Sequence, residues 1–342
     1  MKHIPLLLTT LLSTMLSAAF AQTASDIAVK RMRDSMKFEA ISEYAKSYPQ
    51  LRQGFLTTDI IGQGNVKAQL NGKDLYEGKM NITRIRSSFN IPFAQWGKNA
   101  ITGSIAYQQA RYETNEIKSY DPQFNVTNQT VTKTRVGFSA IYTRSDSLFN
   151  HPINYSGSVT GITDELSSIK RVNYMGSITV PLKRNQYSSL TIGMVVILDP
   201  SAVSPVIPII SYWHKYKDAN LELFVDLPSR IALRKQLSKK SWVSVGSELG
   251  SNLFFFDLNQ PSLPQNAIYT SVELRSGATF EYLLTKKLIL GVNGGMLTTA
   301  SSRLFDHNDK PTDYFANTRN ASVPYISFSI SFLPFLKPIS KR

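Results

Sequence analysis

Three of the four histidines, those beyond the leader, are the natural starting point for chemistry: His151, His214 and His307. A Ser–His nucleophile needs an imidazole within hydrogen-bond reach of the hydroxyl and a third group to orient it. His151 falls in a short turn beside Pro152. His214 shares the parity of an apolar strand face, next to Lys215 and a turn. His307 lies in an acidic stretch with Asp306, Asp309 and Asp313. None stands in a hydrolase motif, so no enzyme is predicted. The stretch Asp306-His307-Asn308-Asp309 with Asp313 offers oxygen ligands to a divalent cation. It lacks the spacing of an EF-hand loop and reads instead as a solvated acidic loop. The chain has no cysteine, which excludes a disulfide, a thiolate metal site and a lipid-bearing cysteine. No cofactor is predicted.

The richer set is ten charged residues embedded in apolar alternation: Arg84, Arg86, Arg135, Arg171, Glu222, Arg234, Glu248, Glu273, Arg275 and Glu281. Each takes the polar parity of its strand. Between residues 222 and 281 the sign alternates from strand to strand. Such a face forms either a lined solute path or a braced interior. Opposite charges on neighbouring strands stabilise a sheet, which favours bracing.

The elements that hold these residues follow a period of two. The clearest runs from Val272 to Tyr282. One face reads Val272, Leu274, Ser276, Ala278, Phe280 and Tyr282; the other reads Glu273, Arg275, Gly277, Thr279 and Glu281. Successive strand side chains point to opposite faces, so one face is apolar and the other charged. Pairing Tyr282 with Leu288 across the following turn sets Phe280 opposite Leu290, Ala278 opposite Val292 and Leu274 opposite Met296. The apolar faces then coincide.

The same reading predicts fourteen strands: 55–71, 79–94, 99–113, 131–146, 152–163, 169–183, 188–199, 206–216, 219–226, 230–237, 241–256, 268–283, 287–302 and 321–334. Leu227-Pro228-Ser229 leaves a twelve-strand alternative, if 219–237 is one bent path. Connections alternate short and long, the long ones covering 72–78, 114–130, 164–168, 200–205, 257–267 and 303–320. Lysines and arginines such as Lys183, Arg184, Lys239, Lys240, Lys286 and Lys287 gather at short turns. Acids such as Asp74, Glu116, Asp121, Asp164, Asp199 and Asp257 gather at long loops.

The start of the chain reads as a secretory leader. Lys2 and His3 precede an apolar run from Ile4 to Leu16, and Ala19-Phe20-Ala21 gives the small-x-small cleavage pattern. That run is too short for a helix spanning a bilayer, which needs about 20 residues. The expected organisation is a signal peptide over 1–21 and a short periplasmic segment over 22–50, read as a helix capped by Asp26. A barrel over 51–336 and a periplasmic tail over 337–342 follow. The net charge of +14 would suit nucleic acid. Export, and the spread of the basic residues around one rim, exclude it.

A sheet with one apolar face on nearly every strand must bury that face, and no helix-rich segment is present to cover it. A closed antiparallel up-and-down barrel in a bilayer satisfies both the apolar faces and every backbone hydrogen bond. A 42% hydrophobic fraction fits, because only alternate residues touch lipid. Aromatics near strand ends are assigned to the interface girdles, among them Trp96, Tyr142, Tyr155, Tyr212, Trp213, Phe254, Phe255, Tyr282 and Tyr325. The last strand, Tyr325 to Phe332, resembles the C-terminal signal of the barrel-insertion machinery, although Leu333 to Arg342 follow it.

The segments Asn81-Ile82-Thr83-Arg84 and Ser88-Phe89-Asn90-Ile91-Pro92-Phe93, with Pro208-Ile209-Ile210-Ser211-Tyr212, carry a family resemblance. Asp226-Leu227-Pro228-Ser229-Arg230 with Leu233-Arg234 adds to it. Together they resemble an uncharacterised family of Gram-negative outer-membrane β-barrels. The resemblance implies the fold and the location and carries over no substrate or catalytic residue. The expected partners are outer-membrane lipid and lipopolysaccharide, the insertion machinery during assembly, and small solutes. The expected role is a channel or passive transporter of small solutes. Its rival is a non-conducting barrel for surface binding or envelope structure, and a lipid-modifying barrel enzyme stands last.

Overall fold

The computed structural model describes residues 38–122, 124, 126–149, 151–199, 202, 204–217, 219–258 and 260–341. The leader over 1–21 and the first part of the 22–50 segment lie outside the described residues. The chain divides into two units, Met1–Arg52 and Gln53–Arg342. In the first unit, residues 38–47 are helical and Pro49–Leu51 form a 3-10 turn. Arg52 closes this segment by donating from Nε to the Ala45 carbonyl at 3.2 Å.

The second unit is a ring of antiparallel strands. They are β1 (Gly54–Leu70), β2 (Lys73–Trp96), β3 (Asn99–Ser119), β4 (Gln129–Leu148), β5 (His151–Thr163), β6 (Arg171–Arg184) and β7 (Ser188–Leu198). The path continues through β8 (Val206–Tyr216), β9 (Leu221–Leu227), β10 (Arg230–Gln236), β11 (Ser241–Asp257), β12 (Asn266–Thr285) and β13 (Leu288–Asp306). Last come β14 (Ala316–Asn320) and β15 (Val323–Phe332). Both β14 and β15 pair with β13 on one side and β1 on the other, so they are two pieces of one interrupted strand. Their pairing with β1 closes the ring, and β1 pairs with β2 on its other edge. Among the described residues the barrel therefore has fourteen strands. β9 and β10 pair as a separate hairpin, which removes the twelve-strand alternative.

The alternation is realised as lipid outside. Leu56, Ile60, Phe138, Val159, Val245, Phe280 and Phe328 are exposed on one parity. On the opposite parity Asp59, Gln108 and Ser327 are buried. A ring closed by β1 pairing with the last strand, with an apolar exterior, is the architecture of an outer-membrane β-barrel. Tyr212, His214 and Tyr216 share the outward face at the short-turn end of β8, with the imidazole edge-on to Tyr216 at 4.7 Å. That placement accounts for His214 as an interface residue.

Three sequence expectations are corrected. The 72–78 loop is absent: Asn71 and Gly72, with φ of 49° and 78°, make a two-residue hairpin, and β2 begins at Lys73. Left-handed dihedrals at both central residues are what this turn requires, and Asn-Gly supplies them. The β12–β13 register is offset by two, with Tyr282 opposite Leu290 and Phe280 opposite Val292. Thr285 pairs with Leu288 around Lys286-Lys287, and an irregularity between Leu283 and Thr285 absorbs one residue. An even offset keeps the faces. Finally, Phe254, Phe255 and Tyr325 are buried and belong to no girdle.

After β15 the chain does not leave the barrel. Leu333 is fully buried, and the Phe335 and Leu336 amides donate to Gln53 Oε1 at 2.7 and 2.9 Å. A short strand, β16 (Ser340–Lys341), then runs parallel to β2 at Ala94 and Gln95.

Candidate functional site

The interior has two unlike halves, set by strand length. β1 to β4 and β11 to β13 contain 17 to 24 residues each. β5 to β10 contain 7 to 14.

Inside the tall wall, the Arg84 guanidinium meets the Glu273 carboxylate through two bonds of 2.8 Å. Arg86 meets Asp59 at 3.1 and 3.2 Å. Arg275 reaches Asp59 at 3.1 Å and Glu273 at 3.5 Å. The Ser327 hydroxyl donates to Asp59 at 2.6 Å. Three guanidiniums thus surround two carboxylates, with Arg84 1% and Asp59 0% exposed. A charge in so dry a place is tolerable only with its hydrogen bonds filled, and this arrangement largely fills them. Above it Ile61, Ile82, Leu297, Val323 and Tyr325 form an apolar cluster, with Met80 and Tyr112 against it. Gln108 Nε2 donates to Asn252 Oδ1 across the barrel at 2.8 Å. This half is filled by its own side chains.

The structure brings four of the ten sequence-selected charges into that network: Arg84, Arg86, Glu273 and Arg275. Arg234 and Glu222 form a separate pair at 3.3 Å. Arg171 binds Asp199 near the loop end. Glu281 lies opposite Trp242 and Gly291 in the sheet. Arg135 and Glu248 make no ion pair among the described residues. Sequence reasoning missed Asp59, the most buried member. Its signal was present: it shares the parity of Thr57 and Ile61, opposite to the exposed Leu56 and Ile60.

The upper part of the β11–β12 hairpin departs from the wall. Its outer face runs Val245, Leu249, Leu253, Phe255 on β11 and Phe280, Leu274, Ile268 on β12, with no break in their register. Val245 is 60% exposed, whereas Phe255 is 4% and Ile268 0% exposed. Phe255 and Ile268 pack with Phe305 against Ile162, which lies on the inward parity of β5. On the other face, Phe256 lies under Lys133 of β4, with Nζ 4.2 Å from the ring centroid. The free edge of β11 is therefore tucked against the inner surface near β4 and β5. Physically this removes a bare strand edge from hydrocarbon. At the loop end Lys170 binds Asp164 at 2.9 Å and Asp257 at 3.6 Å. Burial alone would lower the Lys170 pKa, but the two carboxylates outweigh it and hold the ammonium above its ordinary value. Lys170, Phe255, Asn266 and His307 line a cavity of about 200 Å³ here.

The short wall is different inside. Its inward positions on β5 to β8 include Ser156, Ser177, Thr179, Thr191, Gly193 and Ser211. Ser156 and Ser177 share a 2.6 Å hydrogen bond. Met175, on the same inward parity, is 44% exposed. Toward the short-turn end the inner face of β9 to β11 grows bulky. Arg230 lies 5.0 Å from the Phe224 ring and Arg234 4.8 Å from Trp242. Among the described residues no three His, Asp or Glu side chains converge as a metal site.

No family model matches the chain, and no curated protein matches it. Among solved structures it is similar to an outer membrane channel from Pseudomonas putida F1, at 8% identity over 82% of this chain and 96% of that one, with a TM-score of 0.34. A FadL homologue from Pseudomonas aeruginosa aligns at 9% identity over 82% and 90%, with a TM-score of 0.30. The outer membrane protease OmpT from Escherichia coli aligns at 10% identity over 82% and 97%, with a TM-score of 0.24. At these scores none of them carries an argument about substrate or chemistry, and the family resemblance is supported only at the level of the outer-membrane barrel.

Proposed function

We propose that this barrel is a passive, non-enzymatic transporter of small solutes, with its path along the short wall. The supporting observation is the contrast in exposure between inward-facing residues. Arg84 inside the tall wall is 1% exposed, while Met175 inside the short wall is 44% exposed. Small hydroxyl and glycine positions leave room that the arginines, tyrosines and glutamines of the other half occupy. The charge network braces the barrel and does not line the path, because its members spend their hydrogen bonds on one another.

The network also favours a second reading, a fully closed structural barrel, if bracing extends across the whole lumen. Recording from the purified, heat-modifiable protein in a planar bilayer separates the two. The transporter reading expects a small, steady, ohmic current, limited by the bulky inner side chains near Phe224 and Trp242. Correctly folded insertions that pass no current support the closed barrel instead.

A further inference from the structure

The wall of the barrel is incomplete above the β9–β10 hairpin. These two strands have seven residues each. At about 3.3 Å per residue and a tilt near 40°, they rise about 18 Å, short of an apolar band about 25 Å tall. β10 leaves β11 at the Arg230–Glu248 pair, and the last link between them is the Leu249 amide donating to the Ser229 carbonyl at 2.8 Å. Beyond it, Gly250 to Asp257 pair only with β12. On the far side β9 leaves β8 at Ile210, so Val206 to Ile209 pair only with β7. Pro208 stands in that segment, where a missing donor is best tolerated.

Two further observations show an opening. Glu248, Leu249, Gly250 and Ser251 are all exposed, although they alternate between the two faces of β11. A β-carbon built on Gly250 would meet nothing within 4 Å. The tip of β11 packs against β4 and β5 and so does not cover the gap.

The β7–β8 side of the gap is apolar, while the β11 edge carries the exposed Glu248 and Ser251. On the inner face Val195 pairs with Ile207, Ile197 pairs with Met175, and Ile209 follows Ile207 toward the gap. On the outer face Ile210, Leu227 and Leu249 are exposed. The floor is polar and fixed: Asp226 accepts from Arg230 at 2.8 Å and from Ser211 at 2.6 Å. Directly below, Arg230 and Arg234 cover Phe224 and Trp242.

We infer that the gap is a lateral window through which small, uncharged apolar solutes leave the short-wall path for the bilayer. The inference rests on the transporter reading and names its substrate class. An apolar solute gains by meeting Ile and Val inside and lipid outside, whereas the way down is narrowed by charged and aromatic side chains. A polar solute has no such gain at the window.

The test is entry of the apolar dye N-phenyl-1-naphthylamine into an intact Gram-negative host producing the full chain. The wild type is expected to speed entry several-fold over cells with empty vector. Gly250→Trp, whose ring on the inward parity of β11 covers the inner mouth of the window, is expected to return entry to the vector level. Gly157→Trp places the same bulk on an equally open, lipid-facing site of β5 and is expected to match the wild type. Dye entry at wild-type speed through folded Gly250→Trp overturns the window. So does a wild type no faster than vector. If that wild type still conducts in the planar bilayer, the transporter reading stands and only the window falls.

A second measurement covers a Gly250→Trp protein that does not fold. The chain has no cysteine, so Ile209→Cys and Ser156→Cys can each carry a single bimane label. Doxyl-labelled lipids are expected to quench the label at position 209 more than at 156. Equal quenching overturns the window.

Discussion

The two walls solve one problem, a polar interior inside a lipid-facing ring, in opposite ways. The tall wall fills its interior with paired charge and aromatic rings. The short wall lines its interior with hydroxyls, glycine and a patch of Ile and Val. The difference shows that strand length decides more than height. Once β11 outgrows β10, its bare edge must find cover, and the nearest protein surface is the inner face opposite. The lean that covers the edge also packs the tall half, and the unpaired stretches of β8 and β11 lie beside the short one.

The comparison yields graded expectations. The largest effect belongs to the buried network. Glu273→Gln leaves the Arg84 guanidinium without its counter-charge, and the loss is expected to be about 3–5 kcal/mol. The check is the denaturant midpoint at which the compact, heat-modifiable band disappears. A shift equivalent to under about 1 kcal/mol would mean that the network is not the brace. Next comes a pair of truncations on one face of the same hairpin. Phe255→Ala, under protein, should cost about 3 kcal/mol, while Phe280→Ala, under lipid, should cost about 1 kcal/mol. Equal losses would show that the lean of β11 contributes no packing. The smallest effect is at the tip of the β9–β10 hairpin. Asp226→Ala removes the partner of Arg230 and Ser211 and should cost about 1 kcal/mol. It should speed hydrogen exchange at the Leu249 amide, the last link between β11 and the hairpin. Unchanged exchange there would argue that the tip is held by something other than this ion pair.

Much of the ring was legible from alternation alone. Strand positions, the outward faces of β11 and β12, and the even strand number all follow from a period of two. Errors came where a local rule met a turn or an edge. The Asn71-Gly72 hairpin was hidden because Lys73, Asp74 and Glu77 look like loop residues, yet they are part of β2. Phe254 and Phe255 look like girdle aromatics, because no local feature says that the strand end bends inward. Asp59 was passed over because a single acid in an apolar run carries no partner in sequence. Its partners Arg275 and Ser327 are more than two hundred residues away.

The amino-acid order by itself determined which face of each strand meets lipid, since side-chain parity is a property of consecutive residues. It also determined that the ring closes with both ends on one side. Only the tertiary structure decided which inward charges meet, which half of the lumen is filled and where the wall is open. Those outcomes depend on differences in length between neighbouring strands and on contacts across the barrel, and neither quantity is written in any single stretch of chain.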